Sequence, residues 1–151
     1  MKIYLASSWK NARLVRETAD LLRRMGHLVD AFCDESSGRL VFNFDALTDV
    51  EHQTLNARSA LDHPIVQEAF AEDKSWLDWA DGVVMILPCG NGDHLEAGYA
   101  VGKGKPVWVF APYGFPPGEK DVMYGFFRVL TDGTGDLVAS LREWEQGGKK
   151  R

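Results

Sequence analysis

Glu96 follows Gly90-Asn91-Gly92-Asp93-His94-Leu95, a Gly-rich turn that opens a short helix, and falls about one turn inside it. A carboxylate at such an opening can attack an electrophilic carbon or stabilise a cation. The same residues also fit a helix cap. With Asp93 as N-cap and Glu96 at the third helical position they form a capping box, which needs no chemistry. Ser7 and Ser8 pose a similar choice, since their hydroxyls either hold a ligand at the first helix N-terminus or cap that helix. His94 reaches the opening or is solvated. His52 and His63 lack a paired ligand at metal spacing and read as helix-surface residues.

These residues need a scaffold, and the apolar pattern supplies one. Ile3 to Ala6 reads as a first strand buried on both faces, Ala12 to Met25 as an amphipathic helix stopped by Gly26, and His27 to Cys33 as a second strand at or near an edge. Asp34 to Leu47 is too long for a simple connection and is either a binding loop or an insertion that packs Phe42 and Phe44 on the core. Thr48-Asp49-Val50-Glu51 is a capping-box pattern for a mostly polar helix. Pro64 suits the start of the next helix, whose stripe of Ile65, Val66, Ala69, Phe70, Trp76, Leu77 and Ala80 reads as mostly core. Within that stripe, one of Trp76 and Trp79 packs in the core and the other suits a subunit contact.

Val83 to Leu87 is the most strand-like run and leads directly into the Gly90 turn. Strand Val107 to Ala111, a Pro/Gly-rich loop from 112 to 118, a short helix near Asp121 to Phe126, a short strand from Arg128 to Thr131 and a helix from Asp136 to Trp144 complete the pattern. Five strands alternating with helices predict an α/β fold, a flavodoxin-like three-layer sandwich with a five-stranded parallel sheet. Ligands bind such sheets where strand C-termini meet helix N-termini, which is where Glu96 falls. Residues 1–146 read as one domain and 147–151 as a frayed tail.

Composition narrows the partners. A net charge of -5 argues against a nucleic-acid polymer, which needs clustered Lys and Arg. Cys33 and Cys89 lie far apart without CxxC spacing, so neither a disulfide framework nor a zinc site is indicated. The N-terminal apolar run is too short for a signal peptide and nothing approaches a membrane span. The expectation is a cytoplasmic protein with a small-molecule partner and no metal or cofactor.

Three pieces resemble the nucleoside 2-deoxyribosyltransferase family: Ile3-Tyr4-Leu5-Ala6-Ser7-Ser8-Trp9; Phe70, Asp73 and Asp81 in a Phe-x-x-Asp…Ala-Asp arrangement; and Gly92-x-x-x-Glu96-x-Gly98-Tyr99-Ala100 with Gly104-Lys105-Pro106 following. The resemblance implies that Glu96 is a nucleophile attacking C1′ of a nucleoside to give a glycosyl ester, from which a second nucleobase or water takes the sugar. It implies that Tyr4 orients Glu96. It places Asp81 at the base, where its carboxyl would hydrogen-bond or protonate the leaving group; a loop Asp in an Asp-Gly turn is the alternative. Trp9 is placed near sugar or base, against the alternative of a core or interface Trp. The resemblance also implies an assembly of identical subunits, with Met123-Tyr124 near the site.

Gly90 stands where the family often has an Asp. Pro88-Cys89-Gly90-Asn91-Gly92-Asp93-x-x-Glu96 is also similar to the Pro-Gly-Gly-x-Gly-Thr-x-x-Glu motif of lonely-guy-type phosphoribohydrolases, related to 2′-deoxynucleoside 5′-monophosphate N-glycosidases. That turn, floored by Gly90 and Gly92 and with Asn91 among its binding residues, would hold a phosphate, but Asp93 puts a negative charge there, which favours a nucleoside or a ligand whose phosphate is held elsewhere. Three readings result: deoxyribosyl transfer between bases, the hydrolytic version acting on a nucleoside or its monophosphate, and a binding module that senses a nucleotide derivative without turnover.

Overall fold

The computed structural model describes residues 1–35, 38–115, 117–118 and 120–147; the tail expected from 147 lies, beyond its first residue, outside them. Five strands form one parallel sheet in the order β2-β1-β3-β4-β5: β1 (Lys2–Ala6), β2 (Leu28–Ala31), β3 (Gly82–Ile86), β4 (Val107–Phe110) and β5 (Val129–Thr131). This is the flavodoxin-like order, with β2 at one edge. The helices are α1 (Ala12–Arg24), α2 (Asp49–Thr54), α3 (Ala57–Ala60), α4 (Pro64–Trp79), α5 (Asn91–Gly102) and α6 (Thr134–Glu145). Among the described residues, no helix is long and apolar enough to cross a membrane.

The strands read as continuous apolar runs because helices cover both faces of the sheet. Alternation along each strand sorts side chains between two cores. Ile3, Leu5, Val84, Ile86, Trp108 and Phe110 pack with Val15, Ala19 and Leu22 of α1 and Leu137 and Leu141 of α6. Tyr4, Ala6, Val83, Met85, Val107 and Val109 pack with Leu77 and Ala80 at the end of α4 and with Ala97 and Ala100 of α5. Tyr4 therefore points towards α5.

From β1 the chain winds outward to β2, then crosses back through the 32–63 segment and α4 to β3 on the other side of β1. The winding reverses between β1 and β3, and the crevice at their carboxyl ends is the expected ligand position in such sheets. Local signals hold where they are strong: Thr48 and Glu51 form the capping box, Pro64 starts α4, and Gly26 ends α1 at a φ of 88°, a conformation that favours glycine.

Elsewhere burial corrects the pattern. Phe70 is 67% exposed and not core, Trp76 and Trp79 are both half-buried and meet edge-on at 5.1 Å, and the polar helix after Thr48 is broken into α2 and α3. Phe42 and Phe44 do not enter the core; they meet each other edge-on, with Phe44 exposed.

Gly82 is closely packed at the start of β3. A Cβ there would lie 2.8 Å from the Trp108 ring and 3.1 Å from both Pro106 and the Met1 side chain. Gly82→Ala is expected to destabilise the fold by about 1–3 kcal/mol through overpacking, read as a lower urea midpoint with unchanged slope; a wild-type midpoint would contradict the packing described.

Candidate active site

The way α5 begins decides what Glu96 does. The helix starts at Asn91 with Gly90 as N-cap, so the carboxylate that reaches back is Asp93, whose Oδ2 accepts the Gly90 N–H at 2.7 Å. Glu96, three residues further on, is not part of the cap. It turns inward, where its Oε1 accepts the Tyr4 hydroxyl at 3.0 Å. Burial lifts the Glu96 carboxyl to about 8; the Asp73 charge adds to this, the Tyr4 hydrogen bond opposes it, and the smaller effects of Asp93 and Arg39 raise and lower it respectively. The Tyr4 hydroxyl is pushed well above its ordinary range by burial first and the Glu96 charge second.

Glu96 separates two clefts. The smaller, about 150 Å³, is lined by Tyr4, Ser7, Trp9, Phe32, Phe42, Asp73 and Asp93, with Arg39 and Leu40 from the strap of residues 38–47. The larger, about 380 Å³, is mostly apolar, lined by Phe70, Leu77, Gly92, Leu95 and Tyr99, and shares Asp73 and Glu96 with the first. Trp9 stands edge-on to Phe32 at 5.0 Å in the smaller cleft, giving it an aromatic wall. The strap is anchored by Arg39, which is buried and ion-paired through Nη1 to Asp30 of β2 and through Nη2 to Asp73 of α4. A second tie runs from the Leu40 N–H to Glu72 Oε1 at 3.1 Å. Arg39, Leu40 and Phe42 of the strap are thus part of the cleft wall.

The residues singled out in the sequence divide into groups. Tyr4, Ser7, Trp9, Asp93 and Glu96 meet at the smaller cleft. Ser7 also serves the scaffold: its hydroxyl donates to the Ile86 carbonyl at 2.9 Å and accepts from Asn11 Nδ2 at 3.1 Å, joining the ends of β1 and β3. Ser8 caps the 3-10 turn Trp9–Asn11 by accepting the Lys10 N–H at 3.3 Å. Gly90 and Asn91 form the exposed start of α5, and Gly92 lines the larger cleft. The His94 ring approaches the Tyr124 hydroxyl at 3.2 Å, tying the late loop to α5, while Met123 is exposed.

Asp81 is the correction. It precedes β3, at the amino end of the sheet, whereas the cleft lies beyond the carboxyl end. Five strand residues at about 3.3 Å each separate the two ends. Its carboxylate accepts the Lys2 N–H at 2.7 Å and its own N–H donates to the Lys2 carbonyl at 2.8 Å, so it fastens the starts of β1 and β3. The carboxyl that does face the site from the same motif is Asp73, two helical turns earlier on α4. Burial raises Asp73 above its ordinary range and the Arg39 guanidinium opposes this.

Arg39 was not marked by any motif. The available signal was Asp30, a charged residue within a strand run: it is 1% exposed, and a buried carboxylate requires a partner.

No protein-family model and no curated protein sequence matches the chain. Solved structures do share its fold. A 2-deoxyribosyltransferase from Bacillus psychrosaccharolyticus is similar with a TM-score of 0.64 at 22% identity, over 91% of this chain and 90% of that one. A CMP N-glycosidase from Clostridium botulinum has a TM-score of 0.56 at 12% identity, over 95% and 99%. A conserved protein from Enterococcus faecalis has a TM-score of 0.60 at 15% identity, over 95% and 98%. The class defined here is an α/β sandwich with flavodoxin-like strand order and a carboxylate-bearing crevice at its switch point. Within that class, the fold is the one these three proteins share.

Because Glu96 is lifted from 4.5 to about 8, the folded chain keeps a proton that the unfolded chain releases across that window, and stability falls as pH rises through it. Glu96→Gln carries no such charge. It is expected to unfold at higher urea than the wild type at pH 9, with the gap closing towards pH 4; an equal gap at both pH values would contradict this placement of Glu96.

Proposed function

We propose that the protein is an N-glycosidic-bond enzyme that transfers 2-deoxyribose between nucleobases, with Glu96 as the nucleophile. The observation that carries this reading is the inward-turned Glu96 carboxylate, hydrogen-bonded to Tyr4 on the wall of an aromatic cleft. In the first displacement a Glu96 oxygen bonds to C1′ as the C1′–N bond breaks, and the bonding electron pair leaves with the base, which takes up a proton. An oxocarbenium-like state lies between, and an adjacent carboxylate stabilises it. In the second displacement a ring nitrogen of an acceptor base attacks C1′, the ester breaks, and Glu96 is regenerated as the acceptor loses its proton. Two displacements retain configuration.

Tyr4 holds one Glu96 oxygen and leaves the other for C1′. Asp73, raised towards protonation and facing the same cleft, is the carboxyl suited to exchange a proton with the base. Trp9, Phe32 and Phe42 give the cleft flat apolar surfaces suited to a base, which supports an acceptor base over water. The structural likeness to a 2-deoxyribosyltransferase and a CMP N-glycosidase is consistent with chemistry at an N-glycosidic bond.

Two features favour a nucleoside over its 5′-monophosphate. The Gly90 N–H at the start of α5, which would otherwise suit a phosphate, is already taken by Asp93. Around the smaller cleft, Asp73 and Asp93 outnumber the Arg39 cation, which is itself engaged by Asp30 and Asp73.

Incubation with 2′-deoxyinosine and free adenine tests the reading. Base exchange is expected, reduced by about a thousand-fold or more in Glu96→Ala. Base release without exchange would replace transfer by hydrolysis, and binding without either would make the protein a sensor. A strong preference for deoxyinosine 5′-monophosphate as donor would overturn the nucleoside assignment. Since the free enzyme must ionise Glu96, kcat/KM is expected to rise with pH and reach half its maximum near about 8; a flat profile from pH 6 to 9 would contradict an ionised Glu96 nucleophile.

A further inference from the structure

The strap and the carboxylate cluster meet at one side chain. Arg39 sends one arm of its guanidinium to Asp30 on β2 and the other to Asp73 on α4, and its guanidinium carbon lies 5.8 Å from the Tyr4 ring centroid. Its side chain is 1% exposed and that of Asp30 is fully buried, while that of Asp73 is 42% exposed and opens to the cleft. Next to Arg39 in the strap, Leu40 lines the same cleft, and Phe42 does so two residues on. One buried cation therefore joins an edge strand, the strap, a helix and the ring that carries the Glu96 hydrogen bond.

We propose that Arg39 is a positioning residue for the glycosyl-transfer reaction: it fixes the Asp73 carboxylate beside Glu96 and holds the strap as a wall of the base cleft. The proposal rests on the reading of Glu96 as the nucleophile. A planar two-armed fork suits this task because it sets the distance between two carboxylates as well as neutralising them. Lysine would supply the charge but not the fork.

The groups that face this cluster are Tyr4 from β1, Asp30 from β2, Glu72 and Asp73 from α4, and Asp93 and Glu96 from α5. Glu96 and Asp73 feel Arg39 as a charge that favours their ionised forms. Removing the cation should therefore make Glu96 harder to ionise, and removing the buried Asp30 charge should make it easier, because the full Arg39 charge then faces Asp73 and Glu96. Opposite shifts show that the pair acts on Glu96 through its charges, and the donor KM of Arg39→Lys separates the fork from the charge.

The test combines Arg39→Met, Arg39→Lys and Asp30→Asn with two readouts: the NMR titration of a labelled Glu96 carboxyl, and the separate KM and kcat of base exchange. Arg39→Met is expected to raise the Glu96 titration by about one pH unit and Asp30→Asn to lower it. Arg39→Lys is expected to keep it near wild type while raising donor KM about tenfold, because the charge is kept but the fork is lost. If Arg39→Met does not fold, the lowered Glu96 titration in Asp30→Asn and the raised donor KM in Arg39→Lys carry the test. Identical Glu96 titrations in all variants, or an unchanged donor KM in Arg39→Lys, would overturn the proposal. The titration needs no turnover, so wild-type protein without base exchange would remove the proposed function, while absent Glu96 shifts beside normal base exchange would remove the role of Arg39 alone.

Discussion

A carboxylate withdrawn from water has to be held by its neighbours, and the hydrogen bond from Tyr4 to Glu96 is where this structure meets that requirement. The remaining influences largely work against it: burial, Asp73 and Asp93 all disfavour its ionised form, while Tyr4 and, more weakly, Arg39 favour it. A surface glutamate would be more easily ionised but would be hydrated and free to move. In the cleft, Glu96 is fixed in direction and partly dehydrated, which under the proposed function is how a weak nucleophile becomes useful.

The fold makes that bond possible through ordinary strand and helix geometry. Alternation along β1 turns Tyr4 towards α5, and parallel pairing in register with β3 brings the β3-to-α5 turn beside it. The helix then has to begin at the right residue. With Gly90 as the N-cap, Asp93 is spent on the helix end and Glu96 lies deeper, on the face that meets the sheet. β1 and β3 are joined at their carboxyl ends, beside the site, by Ser7 and at their amino ends by Asp81, so the strands that carry Tyr4 and lead into α5 are fastened at both ends.

Sequence made the scaffold legible because a parallel sheet covered on both faces writes itself as short apolar runs, and Val83 to Leu87 or Val107 to Ala111 admit few other readings. It made Glu96, Tyr4 and Trp9 legible as a group only through a resemblance, since a turn followed by a carboxylate fits a cap equally well. Two things were hidden. The motif that contains Asp73 and Asp81 does not say which acid is at the cleft; that depends on α4 descending past the site before β3 begins, a matter of element direction. The pairing of Arg39 with Asp30 and Asp73 joins residues 9 and 34 positions apart, and no local period encodes it. Phe42 stays open for a related reason, because an aromatic residue that lines a cleft reads in sequence like one that fills a core.

The most direct measurement of the central claim is capture of the glycosyl ester. A donor with fluorine at the 2′ position in the arabino configuration destabilises the oxocarbenium-like state and slows breakdown of the ester, so protein incubated with it can be digested and its peptides weighed. The account expects one fluorinated sugar unit on the peptide that contains Glu96, localised to that side chain. Release of base with Glu96 unmodified, or the sugar attached to a different residue, would contradict it.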